Sequence, residues 1–367
     1  MGRVLTIRDV EAAVKGGSVF ACGGGGWADH GRQLGTLAVT IGRPELVSLD
    51  EIADEAWIAT AAAIGAPAGQ TDWEMLGIDY VKAVQLVQDA LGAPLYGLII
   101  GQNGMSSTLN AWLPSAILGT KVVDAVGDIR AHPTGDMGSL GLANSPKTMI
   151  QSAVGGNRAQ HAYIELLVRG ATAKVSPVLR KAADQSGGFI ASCRNPVPAA
   201  YVRQHAALGG ISRALALGES ILAAEARGGG AVVDAICTQT GGQIIGSGRC
   251  LRKSVRYTAE AFDIGTLDIG EGPNRWVIHV MNEHMAVDDA HGQRVASYPD
   301  VITTLDSAGN PLSVGQIREG MEILILRVAK SQIPLASSVR DPSVYPPVEQ
   351  ALGINLTDYA LAPEQPL

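Results

Sequence analysis

Five ionisable side chains crowd the thirteen positions from Asp124 to Asp136, namely Asp124, Asp128, Arg130, His132 and Asp136. A histidine beside carboxylates can exchange protons with a carbonyl or imine, while an arginine can clamp an anion. Pro133, Thr134 and Gly135 separate His132 from Asp136, and such a run forces a tight turn that brings the two side chains towards each other. A salt-bridged structural loop has the same composition. Zn²⁺ on Asp128 and His132 is a further alternative, although DxxxHxxxD is no established metal signature.

A second group lies near the N-terminus. Cys22 precedes Gly23, Gly24, Gly25 and Gly26, and Asp29 and His30 follow closely. Consecutive glycines bring backbone N–H groups close to an anion. The run is not GxGxxG, because Ala28 takes the last glycine's place, and no Gly-Lys-Ser/Thr follows to make a P-loop. Close packing of a strand against a helix would use the same glycines. Cys22 reads either as a thiolate stabilised at a helix start or as a buried inert thiol. Gln102 and Asn103 sit in the polar turn that ends the apolar run at Ile99 and Ile100. Asn282 and Glu283 can each reach a ligand from a strand. His279 and Glu283 would stand roughly 13 Å apart on one face of that strand, with His284 on the other, so the three cannot share one ion.

These groups need a scaffold, and the chain's patterning supplies one. Thr6 and Asp9 have the form of a capping box before a helix that the glycines at 16 and 17 would end. The spacing predicts strands at 18–22, 57–60, 98–100 and 121–124, alternating with helices at 27–41, 77–91 and 106–118. Small residues 65–69 form a loop. Alternation of this kind predicts a parallel α/β domain over residues 1–168, in which ligands lie beyond the strands' carboxyl ends. A helix is expected from 157 to 167 and a long one over 202–227. Short β segments from 231 onward, with a small helix at 313–319, predict a β-rich α+β domain over residues 169–367, ending in an irregular Pro-containing tail.

Composition bounds the function. Hydrophobic residues make up 46% of the 367 and charged residues 17%, as in a globular protein. The formal net charge of −7 disfavours nucleic acid or an anionic membrane as partner. The four cysteines form no CxxC pair, the N-terminus lacks an apolar signal core, and no apolar run nears the ~20 residues of a membrane span. A cytoplasmic protein acting on a small molecule is expected.

The chain resembles the S-methyl thiohydantoin desulfurase family, whose members are associated with hydantoinase/oxoprolinase-type proteins. The matching blocks are Cys22 to Gly26, Gly65-Ala66-Pro67, and Val122-Val123-Asp124-Ala125 running on to Arg130-Ala131 and Pro133. Asn282-Glu283, Pro299-Asp300-Val301-Ile302 and Leu305-Asp306 complete them. Three positions depart from the family pattern: Cys22 replaces threonine, His132 an aromatic, and Thr134 an acid. The resemblance implies hydrolysis of an S-methyl thiohydantoin to a hydantoin and methanethiol. It then casts His132 or Asp136 as base, Arg130 as substrate clamp, Asp124 or Asp128 as orienting acid, and the glycine N–H groups as anion site. A homo-oligomer and a hydantoinase-like partner are expected. The competing expectations are a non-catalytic ligand-binding subunit of such a partner and a ring-opening cyclic amidohydrolase.

Overall fold

The computed structural model describes residues 2–66 and 73–363, so Pro67 to Gly69 of the expected small-residue loop lie outside the described residues. Strands β1 (Arg3–Val4), β2 (Glu45–Val47), β3 (Trp57–Gly65), β4 (Gly97–Ile100), β5 (Lys121–Val126), β6 (Met149–Gly155), β7 (Ile164–Gly170), β8 (Phe189–Pro198) and β9 (Ala207–Leu208) form one sheet. Its order is β1-β2-β5-β4-β3-β8-β6-β7, with β9 on β5. The central strands β2, β5, β4 and β3 run parallel, and β8, β6 and β7 continue antiparallel from β3. Helices α1 (Ile7–Phe20), α2 (Ala28–Ile41), α3 (Gly77–Leu91), α4 (Trp112–Leu118), α5 (Thr172–Gln185), α6 (Ala199–His205), α7 (Gly210–Glu225) and α8 (Gly229–Thr240) accompany it.

The second sheet is wholly antiparallel. It orders β10 (Gln243–Tyr257), β11 (Asp263–Ile269), β12 (Trp276–Met281), β13 (Glu283–Asp288), β14 (Arg294–Ser297), β15 (Val301–Leu305) and β16 (Glu322–Val328) as β14-β13-β12-β11-β10-β16-β15. Two short helices, α9 (Pro346–Leu352) and α10 (Thr357–Leu361), lie in the tail. The fold is α/β, with a parallel-centred first layer and a β-rich second half. Chain from both sides of residue 168 builds the first sheet, since β7 spans that point and β8 and β9 follow it.

Several local expectations change for identifiable reasons. Helix α1 does not stop at the glycines but runs through them to Phe20, replacing the expected strand. A Cβ on Gly16 would fall 1.8 Å from the Ala214 carbonyl of α7, and one on Gly17 would fall 2.4 Å from the Gly104 carbonyl. Those glycines admit neighbours; they do not end the helix. The segment expected as a helix after Asn157 is instead β7, whose residues alternate between exposed and half-buried at period two. Conversely, 231–237 belongs to helix α8, where Val232, Ile236 and Thr240 recur every four residues on the buried side. The long helix expected over 202–227 breaks after His205, where β9 pairs with β5, and α7 starts beyond Gly209, whose φ of 70° is left-handed.

Candidate active site

The carboxyl ends of β3, β4 and β5 and the loops after them meet the glycine run, and a narrow cavity opens there. Its wall includes Gly25 and Gly26, Gly65 at the end of β3, Gln102 after β4, and His132 to Gly135 after β5. Helix α5 contributes Ser176 and Arg180, β8 contributes Phe189 and Arg194, and the β12–β13 junction contributes Asn282 and Glu283. The free space is about 50 Å³. One water needs about 10–15 Å³ of such space, so the cavity suits a few waters or one small ring. A larger cleft of about 840 Å³ lies by Arg327 and Lys330, but their side chains are committed to Asp300, Tyr359 and tail carbonyls. The small cavity is lined by His132 and Glu283, each with a buried polar atom that has no hydrogen-bond partner among the described residues.

The glycine run is shaped by its neighbours on both sides. Cys22 and Gly23 offer their carbonyls to the amides of His284 at 2.7 Å and Val314 at 2.8 Å. Gly25 takes a φ of 72°, a conformation that side chains resist, and its carbonyl accepts from the Ser106 amide at 3.0 Å. A Cβ on Gly24 would lie 2.2 Å from Glu283 Oε1, so glycine there is what lets the carboxyl approach. The Gly25 and Gly26 amides donate no hydrogen bond among the described residues.

Glu283 is buried, and its Oε2 has no hydrogen-bond partner among the described residues. Burial raises its pKa to about 8, against the pull of Arg130 and Arg180, which leaves the carboxyl protonated at neutral pH. The junction that presents it is set by Asn282, held at a φ of 58° while its Oδ1 accepts from the Asp263 amide at 2.9 Å.

His132 is also buried, and its amide donates to Gln102 Oε1 at 3.0 Å. Burial first, then the nearby Arg194 and Arg130, depress its pKa to about 3, so the imidazole is neutral. Its Nδ1 has no hydrogen-bond partner and lies 3.9 Å from Asp128 Oδ2, while the Nε2 edge lies over Gly138. Asp128 accepts from the Tyr298 hydroxyl at 2.7 Å, and burial raises its pKa to about 6. Asp136 accepts from Ser176 Oγ at 3.3 Å, and burial raises it too.

Arg180 donates to the Ala261 and Pro133 carbonyls and lies over the Phe262 ring; burial lowers its pKa to about 10. Arg194, only 7% exposed, donates no side-chain hydrogen bond and forms no ion pair among the described residues. Behind Phe189, Trp27 and Trp73 stack at 4.0 Å, with Trp27 edge-on to Phe189 at 4.7 Å. An apolar wall and a cationic wall therefore bound one cavity.

Several residues expected at the site have other positions. Asp124 receives the Ile211 and Ser212 amides at 3.0 Å each and thereby caps α7. Arg130 is fully buried and donates to the carbonyls of Ala131, Asp300 and His284 at 2.8–2.9 Å, so its guanidinium is spent on backbone rather than open as a clamp. Cys22 is fully buried, and burial raises its thiol pKa. Asn103 ties the Ile129 and Gly210 carbonyls. Asp29 is exposed and paired with Arg32, whereas His30 is buried 3.3 Å from the Tyr80 hydroxyl, its pKa lowered by burial to about 4. His279 bonds Asp288 at 2.8 Å, apart from Glu283. Among the described residues no three His, Cys, Asp or Glu side chains gather as a metal cage. The pair Asp128 and His132 thus gains no third ligand from such residues and does not fit Zn²⁺. Arg180, Arg194 and Phe189 escaped the sequence reading. Arg194 carried a signal all the same, as a lone cation inside the apolar strand β8.

The fold and cavity define a two-part α/β protein with a buried acid, a neutral imidazole and a glycine cradle. The chain belongs to the S-Me-THD-like family, whose N-terminal domain model matches residues 8–163 and whose C-terminal domain model matches residues 171–335. A crystal structure of a protein from Chromobacterium violaceum shares the fold, with a TM-score of 0.74 and 22% identity over 100% of both chains. No curated protein matches the chain. Among the described residues no helix is long and apolar enough to cross a membrane.

Proposed function

We propose that the protein is a hydrolase that removes methanethiol from an S-methyl thiohydantoin, giving the hydantoin. The observation that carries this reading is the pairing of a protonated carboxyl, Glu283, with a neutral imidazole, His132, on one ring-sized cavity. Family membership points to the same substrate class.

In this reading water adds to the ring carbon that bears sulfur, giving one proton to His132 while Glu283 protonates the ring nitrogen. The Gly25 and Gly26 amides face the charge that develops during addition. The intermediate carries a hydroxyl, a methylthio group and a ring N–H. It collapses as the Glu283 carboxylate takes the hydroxyl proton and the C–S bond breaks, with the imidazolium protonating the departing thiolate. Asp128 orients His132 through the Nδ1 side, and Tyr298 steadies Asp128. Asp136 is the second candidate base.

The test is thiol release from S-methyl thiohydantoins by purified wild type, His132→Ala and Asp136→Asn. Loss of about 10²–10⁴-fold in kcat for at least one variant is expected. Full turnover by both would sink the assignment. A ring-opened acid without thiol would replace it with cyclic amide hydrolysis, and inactivity together with co-purification of a hydantoinase-like protein would indicate a binding subunit.

A further inference from the structure

The first sheet ends unevenly at its two sides. One side stops at the two-residue β1, the other at the seven-residue β7. Strand β7 bonds β6 in unbroken register, and beyond β6 no backbone group of residues 164–170 has a partner among the described residues. It carries neither a proline nor a bulge, two of the devices that keep a free strand from pairing with another chain. Both of its faces also carry apolar surface. Ile164, Leu166 and Val168 pack only partly against the cluster that includes Leu179 and Ala182 of α5, and Leu167 on the other face is 40% exposed. With 3.6 residues per turn, Ser176 and Arg180 turn one flank of α5 to the cavity, and Val178, 45% exposed, lies on the opposite flank.

The charged residues of β7 are Glu165 and Arg169, placed symmetrically about Leu167 and on the same face of the strand. Two such strands, pairing antiparallel about a two-fold axis through Leu167, set each Glu165 opposite Arg169 of the other copy. Leu167 then meets its counterpart, and Leu166 meets Val168. A register centred on 165 or 169 would instead set like charges against each other, which disfavours it. Within the chain these charges are lightly held. Glu165 accepts from the exposed Tyr163 hydroxyl and lies 3.8 Å from Lys82, and Arg169 donates to the Ala90 carbonyl. We propose that β7 is a dimer interface, at which a second copy of this chain extends the first sheet through its own β7. The unpartnered edge says where pairing occurs, and the mirrored charges say with what. The interface is independent of the reaction assigned to the cavity.

Sedimentation of the full-length protein over a range of concentrations tests this. Wild type is expected to be a dimer. Glu165→Arg and Arg169→Glu each place like charges opposite one another and should raise the dimer Kd at least about tenfold. Mixing the two variants should restore dimers, because every opposed pair is then unlike again. Circular dichroism of each variant separates a lost interface from a lost fold. Leu167→Cys reads the register itself, since opposed residues of an antiparallel pair stand about 4.5–5.5 Å apart at Cα, within reach of a disulfide. Mild oxidation should join that variant into a covalent dimer and leave wild type, whose Cys22, Cys193 and Cys250 are buried, without one. A monomeric wild type, dimers that neither charge reversal weakens, or a mixture of the folded variants that stays monomeric would overturn the proposal. So would a Leu167→Cys dimer that forms no cross-link.

Discussion

Glu283 and Asp128 titrate in opposite service of the proposed chemistry. Asp128 orients the imidazole only when ionised, which requires a pH above about 6, and Glu283 can donate only while protonated, below about 8. Both values are raised by burial, so each carboxyl keeps its proton to a higher pH than a free side chain would. We therefore predict a bell-shaped kcat/KM profile that rises through about pH 6 and falls through about pH 8. Glu283→Gln should remove the alkaline limb along with most of the rate. An alkaline limb that survives this substitution would show that another group donates the proton. His132 contributes no limb in this range, since its depressed pKa keeps it neutral throughout.

Elements, not single side chains, account for the residues that moved out of the site. Asp124 sits at the end region of β5, where a ligand-facing acid is reasonable, yet it closes the start of α7. Asp124→Ala is predicted to cost about 0.5–2 kcal/mol in denaturant unfolding while leaving turnover near wild type. A collapse of kcat with unchanged stability would return Asp124 to the site. The sequence made α3 legible end to end, because its apolar face repeats at helical period and Gly92 stops it. It made the site's loops legible too: Gly25, Gln102, His132 and Glu283 all reach the cavity. What local patterning could not show is pairing across the fold. Arg130 and Asp124 look free in one dimension, yet most of their partners are carbonyls and amides distant in sequence: Asp300 and His284 for Arg130, Ile211 and Ser212 for Asp124. Gly16 and Gly17 mislead for the same reason, since their small size answers to α7 and the 104–108 turn rather than to their own helix. Arg194 was hidden because its partner strands β3 and β6 lie elsewhere in the chain.

The two sheets share a main hydrophobic core, in which Val14, Phe20 and Leu98 join Val301, Leu305 and Leu326. Thr303 Oγ1 donates to the Val19 carbonyl across this seam, beside the contacts that His284 and Val314 make to the glycine run. Expressed separately, segments 1–170 and 171–367 should each lack thiol-releasing activity, and mixing them should restore some. Activity in the first segment alone would refute the dependence. The latch on Cys22 and Gly23 also has a bearing on synthesis. The cradle leaves the ribosome early, while the amides that clasp it emerge only after residue 284. At roughly 5–20 residues per second the nascent chain carries an unclasped cradle for tens of seconds. During that window the segment that will wall the candidate site is an unfinished surface, open to chaperones and proteases.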